Sequence, residues 1–119
     1  MWIIVWQADY PDPQDWLSTF FEKGAGYNES NYGLSTNSTV AAEQQQVQQT
    51  LLAADVNQNQ NARVQAYNRA EQQIVNDVGW VSLYQSEIHV VLNPKLVGYT
   101  FDGLDITAPD DWASIYVAA

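Results

Sequence analysis

Trp2-Ile3-Ile4-Val5-Trp6-Gln7-Ala8-Asp9-Tyr10-Pro11-Asp12-Pro13 follows directly on the first methionine. Trp2 to Trp6 is a continuous apolar, β-branched run, which reads as a strand covered on both faces. Pro11 and Pro13 then remove backbone donors and force an extended turn. Asp12 stands where a helix N-cap is expected, with Pro13 at the first helical position and Asp15 at the third. The helix that follows carries Trp16, Leu17, Phe20 and Phe21, an apolar stripe at helical spacing, and Gly24 and Gly26 end it. A buried strand feeding a helix through a tight turn gives an α/β class. Such a strand needs neighbours, and few other strands follow, so the chain reads as one that expects a partner.

Working outward, Tyr27 to Asn37 is rich in Asn, Ser, Tyr and Gly and reads as a surface loop, with Tyr27, Tyr32 and Leu34 available to pack. A helix is expected from Thr39 to Ala54, with Val40, Val47, Leu51 and Ala54 on one face and glutamines on the other. Asp55 to Asn61 is an Asn/Gln link. A second long helix is expected from Ala62 to Val78 through Val64, Tyr67, Ala70, Ile74 and Val78, with Gly79 as its C-cap. Trp80 to Tyr84 and Ile88 to Leu92 read as short strands, the second broken by Asn93-Pro94. Gly98 to Ala108 is a Gly/Asp-punctuated coil, and Asp110-Asp111 precedes a last short element from Trp112 to Val117. No internal repeat is present.

The chain has 119 residues, enough for one domain, and 46% of them are apolar, including five Trp. It can therefore bury a core rather than remain disordered. Four Lys+Arg against fourteen Asp+Glu give a net charge of −10. That balance excludes nucleic-acid binding, which needs a basic surface, and disfavours an anionic bilayer. Lys23 and Lys95 are too few to suggest anion capture. Without cysteine there are no disulfides, thiolate metal sites or cysteine nucleophiles. No apolar run reaches the roughly 20 residues that span a bilayer. The N-terminus lacks the basic region and cleavage site of a signal peptide, so the chain reads as cytosolic, processed, or cut from something longer.

Few residues suggest chemistry. His89 alternates with Ile88 and Val90 and reads as a surface or structural histidine. Asp102, Asp105, Asp110 and Asp111 lack the spacing of a calcium loop and read as a solvated acidic segment, so no metal or cofactor is expected. Acids with many tryptophans suit a carboxylate-pair hydrolase, but no particular pair stands out. Asp9 is the most unusual acid. It lies at the exit of an apolar strand, where ligands of α/β folds collect, and could pair with a cationic group such as an α-amine. The alternative is an Asx residue that stabilises the turn.

The sequence resembles a known family at four places. Trp6-Gln7-Ala8-Asp9-Tyr10-Pro11-Asp12-Pro13 with Trp16-Leu17 resembles the W-x-A-D-Y-x-[DE]-P-x-x-F-L segment of solute-binding protein family 5, the oligopeptide- and dipeptide-binding receptors of ABC importers. Ala70-Glu71-Gln72-Gln73-Ile74, Asp77 and Trp80-Val81-Ser82-Leu83-Tyr84 resemble its A-E-x-x-L…D-x-P-W-[IV]-P-L-Y pattern. Asn93-Pro94-Lys95-Leu96-Val97-Gly98-Tyr99 resembles [KR]-P-x-[VL]-x-G-Y, and Trp112-Ala113-Ser114-Ile115-Tyr116-Val117 resembles W-x-x-[IL]-Y-[VL]. Ser82 departs from the usual proline, Val78-Gly79 from Ala-Pro, and Asn93 from a basic residue. Ser86 stands where the family often has an aromatic residue.

The resemblance implies a non-enzymatic binding protein and a fragment of the periplasmic-binding-protein-like type II fold. Residues 1–86 would be the C-terminal part of the second lobe, and residues 87–119 the hinge crossover and return segment of the first. It implies that Asp9 binds the ligand α-ammonium and that Val5, Trp6 and Gln7 line a peptide or other small solute. It also implies a permease partner for the full-length protein and an extracytoplasmic location. Alternative expectations are a self-associating fragment that binds no ligand, and the hydrolase.

Overall fold

The computed structural model describes residues 3–87, 89–100 and 112–119. The chain divides into two compact units, Pro11–Ser82 and the pair of segments Met1–Tyr10 and Leu83–Ala119. The expectations for Asp102, Asp105, Asp110 and Asp111 lie outside the described residues, as do those for Trp2 and Ile88.

The unit Pro11–Ser82 holds three helices: α1 (Gln14–Phe21), α2 (Ser38–Asp55) and α3 (Gln60–Asn76). The Asp12 carboxylate accepts from the Gln14 N–H at 2.9 Å, so it caps α1 although Pro13 is the boundary residue. Asn37 and Asn59 cap α2 and α3 through their side-chain oxygens. The expected stripes are buried at their centres: Leu17, Phe20 and Phe21; Val47, Leu51 and Ala54; Tyr67, Ala70 and Ile74. Their outer members Trp16, Val40, Val64 and Val78 are exposed. Phe21 packs edge-on against Tyr32 at 5.4 Å and Trp80 at 4.8 Å, so the loop and the segment after α3 complete this core.

The end of α3 differs from expectation in its left-handed residue. Gly79 N–H donates to Ile74 O and Val78 N–H to Val75 O, the paired bonds of a Schellman cap. The residue with positive φ is therefore Val78, at +55°, not Gly79. A β-branched side chain is strained there.

In the other unit, β1 (Leu96–Val97) pairs antiparallel with β2 (Tyr116–Val117), Leu96 opposite Val117 and Val97 opposite Tyr116. A 3-10 turn, Trp112–Ser114, leads into β2. Gly98 turns the chain out of β1 at φ +82°, and a Cβ there would strike the Ser114 carbonyl.

The remaining strand expectations are corrected. Residues 3–6, 80–84 and 89–92 form no strand. A β-prone run becomes a strand only when a second backbone meets it. Among the described residues the single such meeting is β1 with β2. Val5 is 80% exposed, the reverse of a strand buried on both faces, and Val91 is 95% exposed.

Candidate functional site

Val5, Trp6, Gln7 and Asp9 lie along one irregular segment that leads into the turn before α1. Val5, Gln7 and Asp9 are exposed, Trp6 is half-buried, and Ala8 between them is buried. The segment presents a carboxylate and apolar surface to solvent, the chemistry that suits an ammonium group with an uncharged body.

The segment after Asp9 is anchored firmly. Arg63, near the start of α3, donates to both Asp12 oxygens at 2.7 Å, a bidentate pair that is largely buried. Its remaining donors reach Ala54 O and the Tyr67 hydroxyl, each at 3.1 Å, and its guanidinium lies over the Tyr67 ring. The Tyr67 hydroxyl donates to Asp55 at the end of α2, and Ser18 of α1 donates to the same Asp55 oxygen at 2.9 Å. One network thus joins all three helices. The hydrogen bond from Arg63 holds the Asp12 carboxyl below its usual range, against the opposing effect of burial. Burial, with Asp55 beside it, pushes the Tyr67 hydroxyl well above an ordinary tyrosine.

A second set of bonds fastens the Tyr27 to Asn37 loop. The buried Gln48 amide donates to Phe21 O at 2.8 Å and Tyr32 O at 2.9 Å. Gln44 accepts from Gly33 N–H, and Gln45 donates to Gly33 O. The Tyr32 hydroxyl donates to Asp77 at 2.6 Å, and burial raises it far above the ordinary tyrosine value. The glutamine face of α2 is therefore a docking face for the loop. Sequence reasoning missed Arg63 and Gln48, and named Asp77 only as a position of the family pattern. The usable signal was weak: an arginine in the first turn of a helix and a glutamine one position from Val47 on the buried side.

Elsewhere, His89 is exposed beside Glu87, 3.9 Å away. Among the described residues no group of three or more His, Cys, Asp or Glu is placed to hold a metal ion, and no helix is long and apolar enough to cross a membrane. An open groove of about 480 Å³ runs between α2 and α3, lined by Gln46, Gln49, Ala53, Asn57, Ala66 and Arg69 among others. None of Val5, Trp6, Gln7 or Asp9 lines it.

No protein-family profile matches the chain, and no solved structure matches it. The chain is 26% identical over 100 residues to the probable D,D-dipeptide-binding periplasmic protein DdpA of Escherichia coli (strain K12). The match covers 82% of this chain and 17% of that protein. The chain thus spans less than a fifth of the length of that relative, and it is a distant relative of a periplasmic binding protein.

Proposed function

We propose that this chain is a C-terminal portion of the substrate-binding component of a peptide ABC importer. The similarity along 82% of the chain to a dipeptide-binding periplasmic protein carries this reading. The four sequence blocks, in family order, support it further. In this reading the location is extracytoplasmic, the role is binding rather than catalysis, and a membrane permease is the partner of the full-length protein. Residues 1–86 belong to the second lobe of a type II binding-protein fold, and residues 87–119 cross the hinge and return to the first. Hinge closure of the lobes encloses the peptide. Asp9 takes the ligand α-ammonium, while Val5, Trp6 and Gln7 lie along the peptide. A carboxylate fixed in a water-poor cleft gives direction, and backbone groups bind peptide without reading its sequence.

The test is calorimetric titration of peptide into the full-length receptor and its Asp9→Ala variant. The expected loss is more than tenfold in affinity, the scale of one charge-assisted hydrogen bond at about 1.5 kcal/mol. Unchanged affinity removes Asp9 from the site.

A second reading, self-association of this chain alone, is favoured by one observation. Val5, Leu83, Tyr84, Val91 and Val117, all in one unit, are widely exposed, which leaves apolar side chains available to a second copy. Size-exclusion chromatography with light scattering, with and without a mixed di- to pentapeptide pool, separates the two. A ligand-indifferent dimer supports self-association, and a monomer that retains peptide through the column supports the receptor.

A further inference from the structure

The chain contains two Asn-X-Ser/Thr triplets, Asn28-Glu29-Ser30 and Asn37-Ser38-Thr39. This pattern is the acceptor signal for N-linked glycans on exported proteins. The signal is short and arises by chance, so the local structure must decide whether either asparagine can react. The fold treats the two in opposite ways.

Asn28 is half-buried and fully engaged. Its Nδ2 donates to Tyr32 O at 2.9 Å, and its Oδ1 accepts from Tyr32 N–H at 2.9 Å. Its third residue, Ser30, spends its hydroxyl on the same Oδ1 at 3.2 Å. Tyr32 is itself buried and tied to Asp77. A sugar on Asn28 would have to be fitted at a half-buried nitrogen that is already bonded to Tyr32 O in the clasp that holds the loop.

Asn37 is exposed, as are Ser38 and Thr39. Its Oδ1 accepts from Thr39 N–H at 3.0 Å and Val40 N–H at 3.3 Å, which caps α2. Its Nδ2 takes no part in these bonds, nor does the Thr39 hydroxyl. The cap therefore leaves the atom that must react outside its own bonds, on an exposed residue. A glycosylated Nδ2 keeps its Oδ1 free, so the cap survives the modification.

We propose that Asn37 is a glycan acceptor in the folded chain and that Asn28 is not. The donor is a lipid-pyrophosphate-linked oligosaccharide. The bond from the sugar C1 to the pyrophosphate oxygen breaks, and the lipid pyrophosphate leaves with the electron pair. The Nδ2–C1 bond forms, and Nδ2 gives one proton to a base of the transferase. This acceptor chemistry goes beyond the receptor reading and does not rest on peptide binding.

The test uses the purified, folded chain with a single-subunit oligosaccharyltransferase of Asn-X-Ser/Thr specificity, its lipid-linked donor, and intact-mass and peptide mapping. Synthetic peptides spanning each triplet show first that the enzyme accepts both when unfolded. On the folded chain the expected product carries one glycan, with Asn37 occupied at least tenfold more than Asn28. Asn37→Gln abolishes it, and so does Thr39→Ala, which retains the backbone bonds of the cap. Asn28→Gln leaves it unchanged. Equal occupancy at both asparagines, or an unmodified Asn37 in the folded chain, overturns the proposal. Peptide affinity is not measured, so failure here leaves the receptor reading untouched.

Discussion

Replacing Arg63 by methionine should destabilise the unit Pro11–Ser82 by about 3 kcal/mol. Arg63 makes two bonds of 2.7 Å to Asp12 and two of 3.1 Å to Ala54 O and the Tyr67 hydroxyl. Breaking a fully buried ion pair from one side costs about 3–5 kcal/mol, because the abandoned charge stays desolvated. Here the Asp12 side chain is 28% exposed against 12% for Arg63, so water can rehydrate the carboxylate in part. That moves the expectation to the lower end of the range. Loss of the cation over the Tyr67 ring adds about 0.5–1 kcal/mol, and the methionine stem returns some packing. Urea unfolding followed by tryptophan fluorescence reads the change, since Trp80 packs on Phe20 and Phe21 inside this unit. A double-mutant cycle with Asp12→Asn should give a coupling of about 1.5–2 kcal/mol. The acid limb supplies an independent check. The Asp12 carboxyl is lowered in the folded state, first by its bond to Arg63. Its contribution is therefore complete above the unfolded value of about 4 and disappears as pH falls through the lowered folded value. Arg63→Met should flatten that acid limb. A loss below about 1 kcal/mol, the level of an exposed surface pair, together with an unchanged acid limb, would refute the reasoning.

Other consequences are open to direct measurement. Val78→Gly should stabilise the chain by about 1 kcal/mol, because relief of left-handed strain outweighs the added freedom of the unfolded chain; a lower urea midpoint would contradict the cap assignment. Gln48→Leu should cost about 2–3 kcal/mol, since Phe21 O loses its side-chain donor in a buried setting while Tyr32 O keeps Asn28; a loss under 1 kcal/mol would mean the loop does not depend on this amide. Tyr32 and Tyr67 are both raised by burial and a carboxylate acceptor. Their stabilising contribution is complete below the unfolded value of about 10 and is lost as pH rises beyond it. Absorbance at alkaline pH should therefore show these two tyrosines ionising only with unfolding, and the Tyr32→Phe/Tyr67→Phe double variant should remove that late phase.

Helices were the legible part of this chain. Leu17, Phe20 and Phe21, then Val47, Leu51 and Ala54, then Tyr67, Ala70 and Ile74 recur at three- and four-residue intervals, and burial follows those intervals. The polar framework was not legible. Arg63 and Asp12 are 51 positions apart, and no local pattern connects them. Gln44, Gln45 and Gln48 read as a solvent face because periodicity sorts residues only by polarity. An amide carries both a donor and an acceptor, so it can face a loop backbone as well as water. The runs at residues 3–6, 80–84 and 89–92 were misread for a related reason. β-branched residues record a fit to a sheet surface, whereas the strand itself needs a second backbone. At the candidate site, neighbours in sequence such as Val5, Trp6, Gln7 and Asp9 share a segment by necessity. A cleft also needs opposite walls, and those come from residues distant along a chain.

The division of the chain has a consequence for synthesis. Pro11–Ser82 is continuous, whereas the other unit joins Met1–Tyr10 to Leu83–Ala119. A ribosome releases the continuous unit whole before most of the second segment exists, and domains generally form as they emerge. Residues 3–10 must therefore wait for Leu83–Ala119 until the whole of Pro11–Ser82 has been made. During that interval Ile3, Ile4, Val5 and Trp6 lack the segment they join in the finished unit, and slowing translation after Ser82 should lengthen the delay.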